Sequence, residues 1–373
     1  MTEPFPFIDV QGGPAQRGRQ YGQQARERIE RSVALYSGRL DALGLSRADL
    51  ERLVAEIAPV CSHFGDAIVE EMHGIADGAG VSFEDIVLIN ARTEIVARAR
   101  LETAPDGQPD GCTGVIVLPH RSASGRLIHA QNWDWLTACS ETAIVMRVTP
   151  GNGPRYLTFT EAGGVARSGL NEAGIAITAN YLECDRDYSQ PGIPLPFIRR
   201  AVLEEQHLAY ALKAVATTPK ACSNNMMVSC STAGRTDGFG IDFECAPDEA
   251  WQLMPDDGLL VHANHWIGPV ARTKIIETGF ADSPDSLYRD WRVAEHLGAH
   301  RAITPDDVKT ALFDGFAAPY AVCRPPRDND AYSTVAMIVM DPGQGIIEIA
   351  PLPAINRTFT RYALEGEPEM VSN

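Results

Sequence analysis

The chain has 373 residues, 45% of them hydrophobic, enough to bury a large core in one large or two ordinary domains. Its 49 acidic and 32 basic residues leave a net charge of −17, which repels nucleic acid and anionic membrane and so argues against either as a partner. No stretch reaches the ~18 consecutive apolar residues of a membrane span. The start, Met1-Thr-Glu-Pro-Phe-Pro-Phe, lacks the basic and apolar parts of a secretory signal, so a cytoplasmic protein is expected.

In chain order, Ala15 to Leu40 predicts a helix, with Tyr21, Ile29, Val33 and Leu40 on one side of an Arg/Gln/Glu-rich segment. Ser46-Arg-Ala-Asp49 is a capping pattern ahead of Leu50, Leu53 and Ile57. A further helix is expected from Phe64 to Ala76, stopping near Gly78 or Gly80. Ser82-Phe-Glu-Asp85 then opens a segment from Ile86 to Val96, in which Asn90, Arg92 and Glu94 are either satisfied core groups or supports for a site. Between Arg100 and Gly111, two prolines, two glycines and three acids replace apolar periodicity, the composition of an exposed, mobile loop.

After that loop the pattern turns to strands. Thr113 to Leu118 and Arg126 to Asn132 form a hairpin pattern, and Ala143 to Val148, Tyr156 to Thr160, Gly174 to Asn180, Met226 to Cys230, Gly238 to Phe243 and Gly258 to Ala263 also read as extended. Helices are expected at Phe197 to Ala216, Ser286 to Leu297 and Thr304 to Phe313, and Ser333 to Met340 with Gly345 to Ile349 closes the strand region. Hairpin-like runs outnumber strand-helix alternations, so the fold class is α+β with large antiparallel sheets.

Eight cysteines stand at 61, 112, 139, 184, 222, 230, 245 and 323 with no CxxC pair, which suits neither a zinc site nor a disulfide framework. Cys112 differs by its place, directly after Asp110-Gly111 where loop becomes strand. Gly111 puts no side chain around its own carbonyl and permits unusual backbone angles, so the thiol of Cys112 can reach the preceding carbonyl carbon. Attack there and hydrolysis would free an α-amine whose ordinary pKa, roughly 7.7 to 8.0, suits it as base for a thiol near roughly 8.5.

The neighbourhood supports this chemistry. Gly111-Cys112-Thr113, Gln131-Asn132-Trp133-Asp134-Trp135, Asn171-Glu-Ala-Gly-Ile-Ala-Ile-Thr-Ala-Asn180 and His262-Ala-Asn-His265 follow in order, after a helical Glu70-Glu71-Met-His-Gly-Ile-Ala-Asp-Gly-Ala-Gly80. Together they resemble the penicillin acyltransferase (isopenicillin N acyltransferase) family of autoproteolytic N-terminal nucleophile hydrolases, over about the whole chain. The resemblance implies a four-layer αββα sandwich, with residues 1–111 as a pro-region or α subunit that stays bound and 112–373 as the catalytic β subunit. It also implies cleavage between Gly111 and Cys112, Cys112 as nucleophile, Asp134 beside the new N-terminus and Asn264 in the oxyanion hole, with Asn180 a second candidate there. The family's arginine near the C-terminal strands is missing from Tyr332-Ser-Thr-Val335, and Arg289 or Arg292 is the substitute on offer.

Trp133, Trp135 and Trp266 bracket these positions and either line an acyl pocket or pack in the core. His262 and His265 lack a third ligand at metal spacing, so no metal and no cofactor are expected. The leading function is hydrolysis of a small N-acyl amide through a thioester on Cys112. Acyl transfer to a small amine, from a donor such as a coenzyme A thioester, is the alternative. A non-catalytic small-molecule binder and a metal-dependent hydrolase using His262 and His265 are the rivals from other classes. A second copy of the chain is a further candidate partner.

Overall fold

A computed structural model describes residues 3–96, 111–232, 234–328 and 331–371. The strands the sequence predicts are present and gather into two sheets. The first contains β1 (Phe7–Gly12), β4 (Ala143–Pro150), β5 (Tyr156–Glu161), β6 (Ser168–Asn171), β7 (Ile175–Tyr181), β8 (Asn224–Cys230), β9 (Phe239–Cys245) and β10 (Ala250–Leu253), paired in that order. The second runs β11 (Leu259–His262), β2 (Cys112–Val117), β3 (Ile128–Leu136), β12 (Tyr332–Asp341), β13 (Ile346–Pro351), β14 (Thr360–Ala363) and β15 (Glu369–Met370). Neighbours are antiparallel, except that β1 joins β4 in parallel. The loop expected from Arg100 lies outside the described residues up to its last residue, Gly111.

Two-residue alternation along β2 shows how the sheets stack. Val115 and Val117 pack with Val293, Leu297 and Val308, whereas Ile116 packs with Met227 of β8. The helices that supply the first face are α8 (Ser286–Gly298) and α9 (Pro305–Leu312). On the far side, α6 (Leu195–Glu204) and α7 (Leu208–Thr217) cover the eight-stranded sheet, which joins the N-terminal helices in one core. The four-layer α+β sandwich is therefore present. Strands buried on both faces must satisfy their polar side chains internally. His129 of β3 does so across the gap, bonding Ser229 at 2.8 Å and Thr178 at 2.9 Å, and burial pushes its pKa down to about 3, so the ring stays neutral.

Several helix boundaries differ from expectation for visible reasons. The predicted Ala15 to Leu40 helix is two, α1 (Pro14–Gln24) and α2 (Arg26–Ala42), because Ala25 leaves helical angles. The predicted Phe197 to Ala216 helix is also two. The amide of Asn171 donates to the carbonyls of Leu203 and Glu205 and so caps the end of α6. Ser46 and Ser82 make full capping boxes for α3 (Arg47–Ile57) and α5 (Phe83–Asn90), as their sequences suggest. The helix expected from Phe64 is α4 (Asp66–Ala79), closed by Gly80 at φ +76°. α5 ends at Asn90, whose amide donates to Ile86 and Gly163 carbonyls and accepts from Val165 N–H. β1 was not among the expected strands, although buried Ile8 and Val10 alternate with exposed Asp9 and Gln11.

α1 and α4 meet at backbone distance. A Cβ on Gly18 would lie 2.2 Å from the Glu71 carbonyl oxygen, and one on Gly22 would lie 2.3 Å from that of Ile75. Gly74 and Gly78 face the same seam from α4. The close contact lets Glu71, almost wholly buried, meet Arg17 at 2.6 Å and Arg200 of α6 at 2.6 Å. Gly22→Ala should therefore destabilise the chain by at least ~2 kcal/mol in urea unfolding through overpacking. Gly38→Ala, on α2 with open space around it, should instead gain ~0.5–1 kcal/mol. Equal midpoints for the two variants would refute the close-packing account.

Candidate active site

The site is built where β2 begins. Cys112 stands opposite Trp133 in the β2–β3 ladder, and the ladder continues one residue upstream, where Asp134 N–H donates to the Gly111 carbonyl at 2.8 Å. Gly111 has no space for a side chain, because a Cβ there would lie 2.7 Å from Asp134 Oδ2. The Cys112 side chain is almost wholly buried. Arg167 lies with its guanidinium 4.2 Å above the Trp133 ring and its Nη2 3.9 Å from Cys112 Sγ.

Two further elements converge on the Cys112 backbone. Its N–H donates to Asn264 Oδ1 at 2.7 Å, and its carbonyl accepts from Arg289 Nη1 at 2.7 Å. Asn264 sits just past β11, and its own N–H donates to Ser286 Oγ at 2.8 Å. Arg289 projects from α8 with no exposure and also donates to Thr113 Oγ1, Asn264 Oδ1 and Asp285 Oδ2. One guanidinium thus fixes residue 112, its neighbour and Asn264 together, the fork geometry that distinguishes Arg from Lys. Arg292, three residues on, turns instead to Asp314 at 2.5 Å and to the ring of Phe316.

Asp134 is buried at the next position. Thr334 Oγ1 donates to its Oδ1 at 2.6 Å, while Oδ2 has no hydrogen-bond partner. Burial pushes the carboxyl up to about 6, against the pull of Arg324 and Arg289. Asn180 is near by but fully engaged: its amide donates to the His262 and Ala263 carbonyls at 3.0 and 3.1 Å, and its oxygen accepts from Gln131. It therefore ties β7 to the end of β11 and so places Asn264. The Asn264 amide nitrogen donates to the Tyr181 carbonyl at 2.9 Å. Both amides proposed for an oxyanion hole are thus occupied by backbone carbonyls in the uncut chain.

The tryptophans separate. Trp133 lies beside the cysteine, and Trp135 reaches the Tyr36 hydroxyl at 3.0 Å. Trp266 packs against Trp251 in a different cluster and donates to the Glu183 carbonyl. His262 is engaged by Glu244 at 3.0 Å. Burial opposes its charge, yet Asp242 and Glu244 outweigh that and hold its pKa up at about 9. Among the described residues no group of three His, Cys, Asp or Glu side chains is placed to hold a metal ion. None of the described helices is long and apolar enough to cross a membrane.

Sequence reading missed Arg167, Asp285, Ser286 and Arg324. A buried arginine does lie beside the C-terminal strands. Arg324 precedes β12, its N–H donates to Thr334 Oγ1 at 2.7 Å, and its side chain reaches Asp285 at 3.2 Å. It stands ten positions before Thr334 in a Cys-Arg-Pro-Pro turn, so inspection of the strand alone could not find it. Buried Arg324 and Arg289 sharing Asp285 is the signal that only three dimensions provide.

Two stacked sheets between helical layers, with a buried cysteine opening an inner strand among these arginines, asparagines and an aspartate, make this an enzyme of the amide-hydrolase and acyltransferase class. The chain belongs to the acyl-coenzyme A:6-aminopenicillanic acid acyl-transferase family, whose model matches residues 121–351. It is 29% identical over 341 residues to the 40 kDa form of the acyl-coenzyme A:6-aminopenicillanic-acid-acyltransferase of Emericella nidulans, covering 90% of this chain and 89% of that one. Among solved structures, a mutant conjugated bile acid hydrolase from Clostridium perfringens aligns with TM-score 0.47 at 13% identity, over 70% of this chain and 97% of its own. Penicillin V acylase from Agrobacterium tumefaciens aligns with TM-score 0.37 at 12% identity, over 64% and 83%.

The Asp134 carboxyl generates a stability prediction. Its pKa in the fold, about 6, lies above its ordinary 3.8, so the fold favours the protonated form. That contribution is full below the ordinary value and lost as pH rises through about 6. In an uncut Cys112→Ala background, Asp134→Asn should be more stable than Asp134 at pH 8, by at most roughly 3 kcal/mol. At pH 4 thermal melts of the two should nearly coincide, and a gap of equal size at both pH values would contradict the burial account.

Proposed function

We propose that the chain is a precursor that cuts its own Gly111–Cys112 bond and then uses Cys112 as an N-terminal nucleophile on a small N-acyl amide. The observation that carries this reading is the convergence on one peptide unit: Asp134 N–H on the Gly111 carbonyl, Asn264 on the Cys112 N–H, and no room for a side chain at 111. In the first step the Cys112 sulfur adds to the Gly111 carbonyl carbon. Charge developing on that oxygen meets the Asp134 N–H already bonded to it. The C–N bond then breaks, the amine takes the proton the thiol gave up, and a thioester joins Gly111 to Cys112 Sγ. Water hydrolyses it to a carboxylate on residue 111 and a free thiol and α-amine on residue 112.

In the cut enzyme the α-amine is the nearest base to the thiol and can later protonate a leaving amine. Asn264 Oδ1 and the unpartnered Asp134 Oδ2 are the acceptors positioned to hold it. Arg167 favours negative charge on the sulfur. Turnover is then ping-pong: the acyl group moves from amide to Cys112, and water receives it. Residues 1–111 stay attached as the α subunit, since β1 is part of the eight-stranded sheet and Glu71 is shared with Arg200.

A second reading, acyl transfer to a small amine, is favoured by the similarity to the Emericella nidulans acyltransferase, whose name gives an acyl-coenzyme A as donor. The two share every step up to the acyl-enzyme and differ in how far water is kept from it. Intact-mass measurement should find fragments ending at Gly111 and beginning at Cys112, and Cys112→Ala should remain one chain. A wild type that stays whole, or an alanine variant cut at the same bond, would refute self-processing by this thiol. Product partition as amine concentration rises then separates the readings: a growing amide product indicates transfer, and a constant hydrolysis yield indicates water as acceptor.

A further inference from the structure

A cavity lies apart from the residues described above. It is a cleft of about 510 Å³ between the end of α3 and the Tyr188–Pro194 segment, lined by Ile57, Val60, Tyr188, Pro191, Ala221 and two acids, Glu56 and Glu94. Among the described residues no basic side chain lines it. Glu56 is half-exposed and pairs with Arg52 one turn earlier on α3. Glu94 is different: it is 6% exposed, its carboxyl lies toward its own and the Leu195 backbone N–H, and among the described residues no side chain hydrogen-bonds it. Arg92 and Arg199 attract it electrostatically, and Arg92 is held by Glu161 at 2.8 Å. Burial drives the Glu94 pKa upward, so its charged form is costly there.

Tyr188 takes a left-handed φ of 60°, uncommon for a bulky residue, and its N–H donates to the Ala221 carbonyl. Its hydroxyl meets that of Tyr181 at 3.1 Å, and the Tyr181 carbonyl is the acceptor for Asn264, which holds Cys112. The cleft is therefore joined to the nucleophile through three residues. A cleft with Ile57, Val60, Pro191 and Ala221 on its wall beside Ser189 and Gln190, and with a buried carboxylate that no described side chain hydrogen-bonds, suits a protonated primary amine on a short aliphatic body.

We propose that this cleft is an ammonium-binding subsite, with Glu94 as the counter-charge for an amine-bearing substrate or acyl acceptor. Its use as a substrate subsite rests on the acyl-transfer reading above, whereas the binding itself does not. Calorimetric titration of the full chain with n-hexylammonium and with n-hexanol tests the binding without any turnover. Hexylammonium should bind at least tenfold more tightly than hexanol, and Glu94→Gln should remove the difference while Glu56→Gln keeps it. Ala221→Leu, which adds bulk to the cleft lining, should abolish hexylammonium binding and serves if the Glu94 variant does not fold. Equal affinities for the two probes, no hexylammonium binding, or a preference that survives Glu94→Gln would overturn the proposal. An uncut wild-type chain that still prefers hexylammonium would sink the self-processing reading and leave the subsite standing.

Discussion

The arrangement depends on Arg289. Its guanidinium has no exposure, and each of its three nitrogens is committed, to Asp285, to the Cys112 carbonyl with Thr113, and to Asn264. A buried cation of this kind is tolerable only because Asp285 neutralises it and every acceptor is in place. In return it locks α8 onto the start of β2, which fixes the direction from which the Cys112 thiol and amide face the inner space between the sheets. Removing the charge would leave Asp285 with only Arg324 and would release Asn264 from one of its two donors to Oδ1.

The helices before residue 112 are bound to the rest by contacts that need no peptide link. Tyr36 and Arg92 both meet Glu161 of β5, Tyr21 accepts from the Gly163 N–H, and Asn90 bridges to Gly163 and Val165. Most of these partners are buried on both sides, where an unsatisfied group costs most. The same contacts place Glu94 against the cleft behind Tyr188. A proposed cut at residue 111 would therefore change covalent continuity and leave the packing intact.

Much of this was legible in the sequence. Period-two runs located most of the strands, and capping boxes at Ser46 and Ser82 located two helix starts. The glycine before Cys112, the Trp-Asp-Trp run and the His-Ala-Asn-His segment marked the positions that the fold brings together. What stayed hidden depends on long-range partners. The helix break after Glu204 is set by the Asn171 amide, a long-range partner that periodicity does not record. Arg324 and Arg167 look like ordinary surface arginines until folding buries them, and Arg289 acquires its role only because α8 lies against β2. The engaged amides of Asn180 and Asn264 likewise follow from the fold and not from the motif.

The central claim is that Cys112 is the residue that carries the acyl group. It is tested most directly by acid-quenching turnover of an N-acyl p-nitroanilide and mapping the adduct by peptide mass spectrometry. The account predicts one acyl mass on the peptide that begins at Cys112, labile to hydroxylamine as a thioester is. An acyl group on any other residue, or turnover by a Cys112→Ala chain at the wild-type rate, would contradict it.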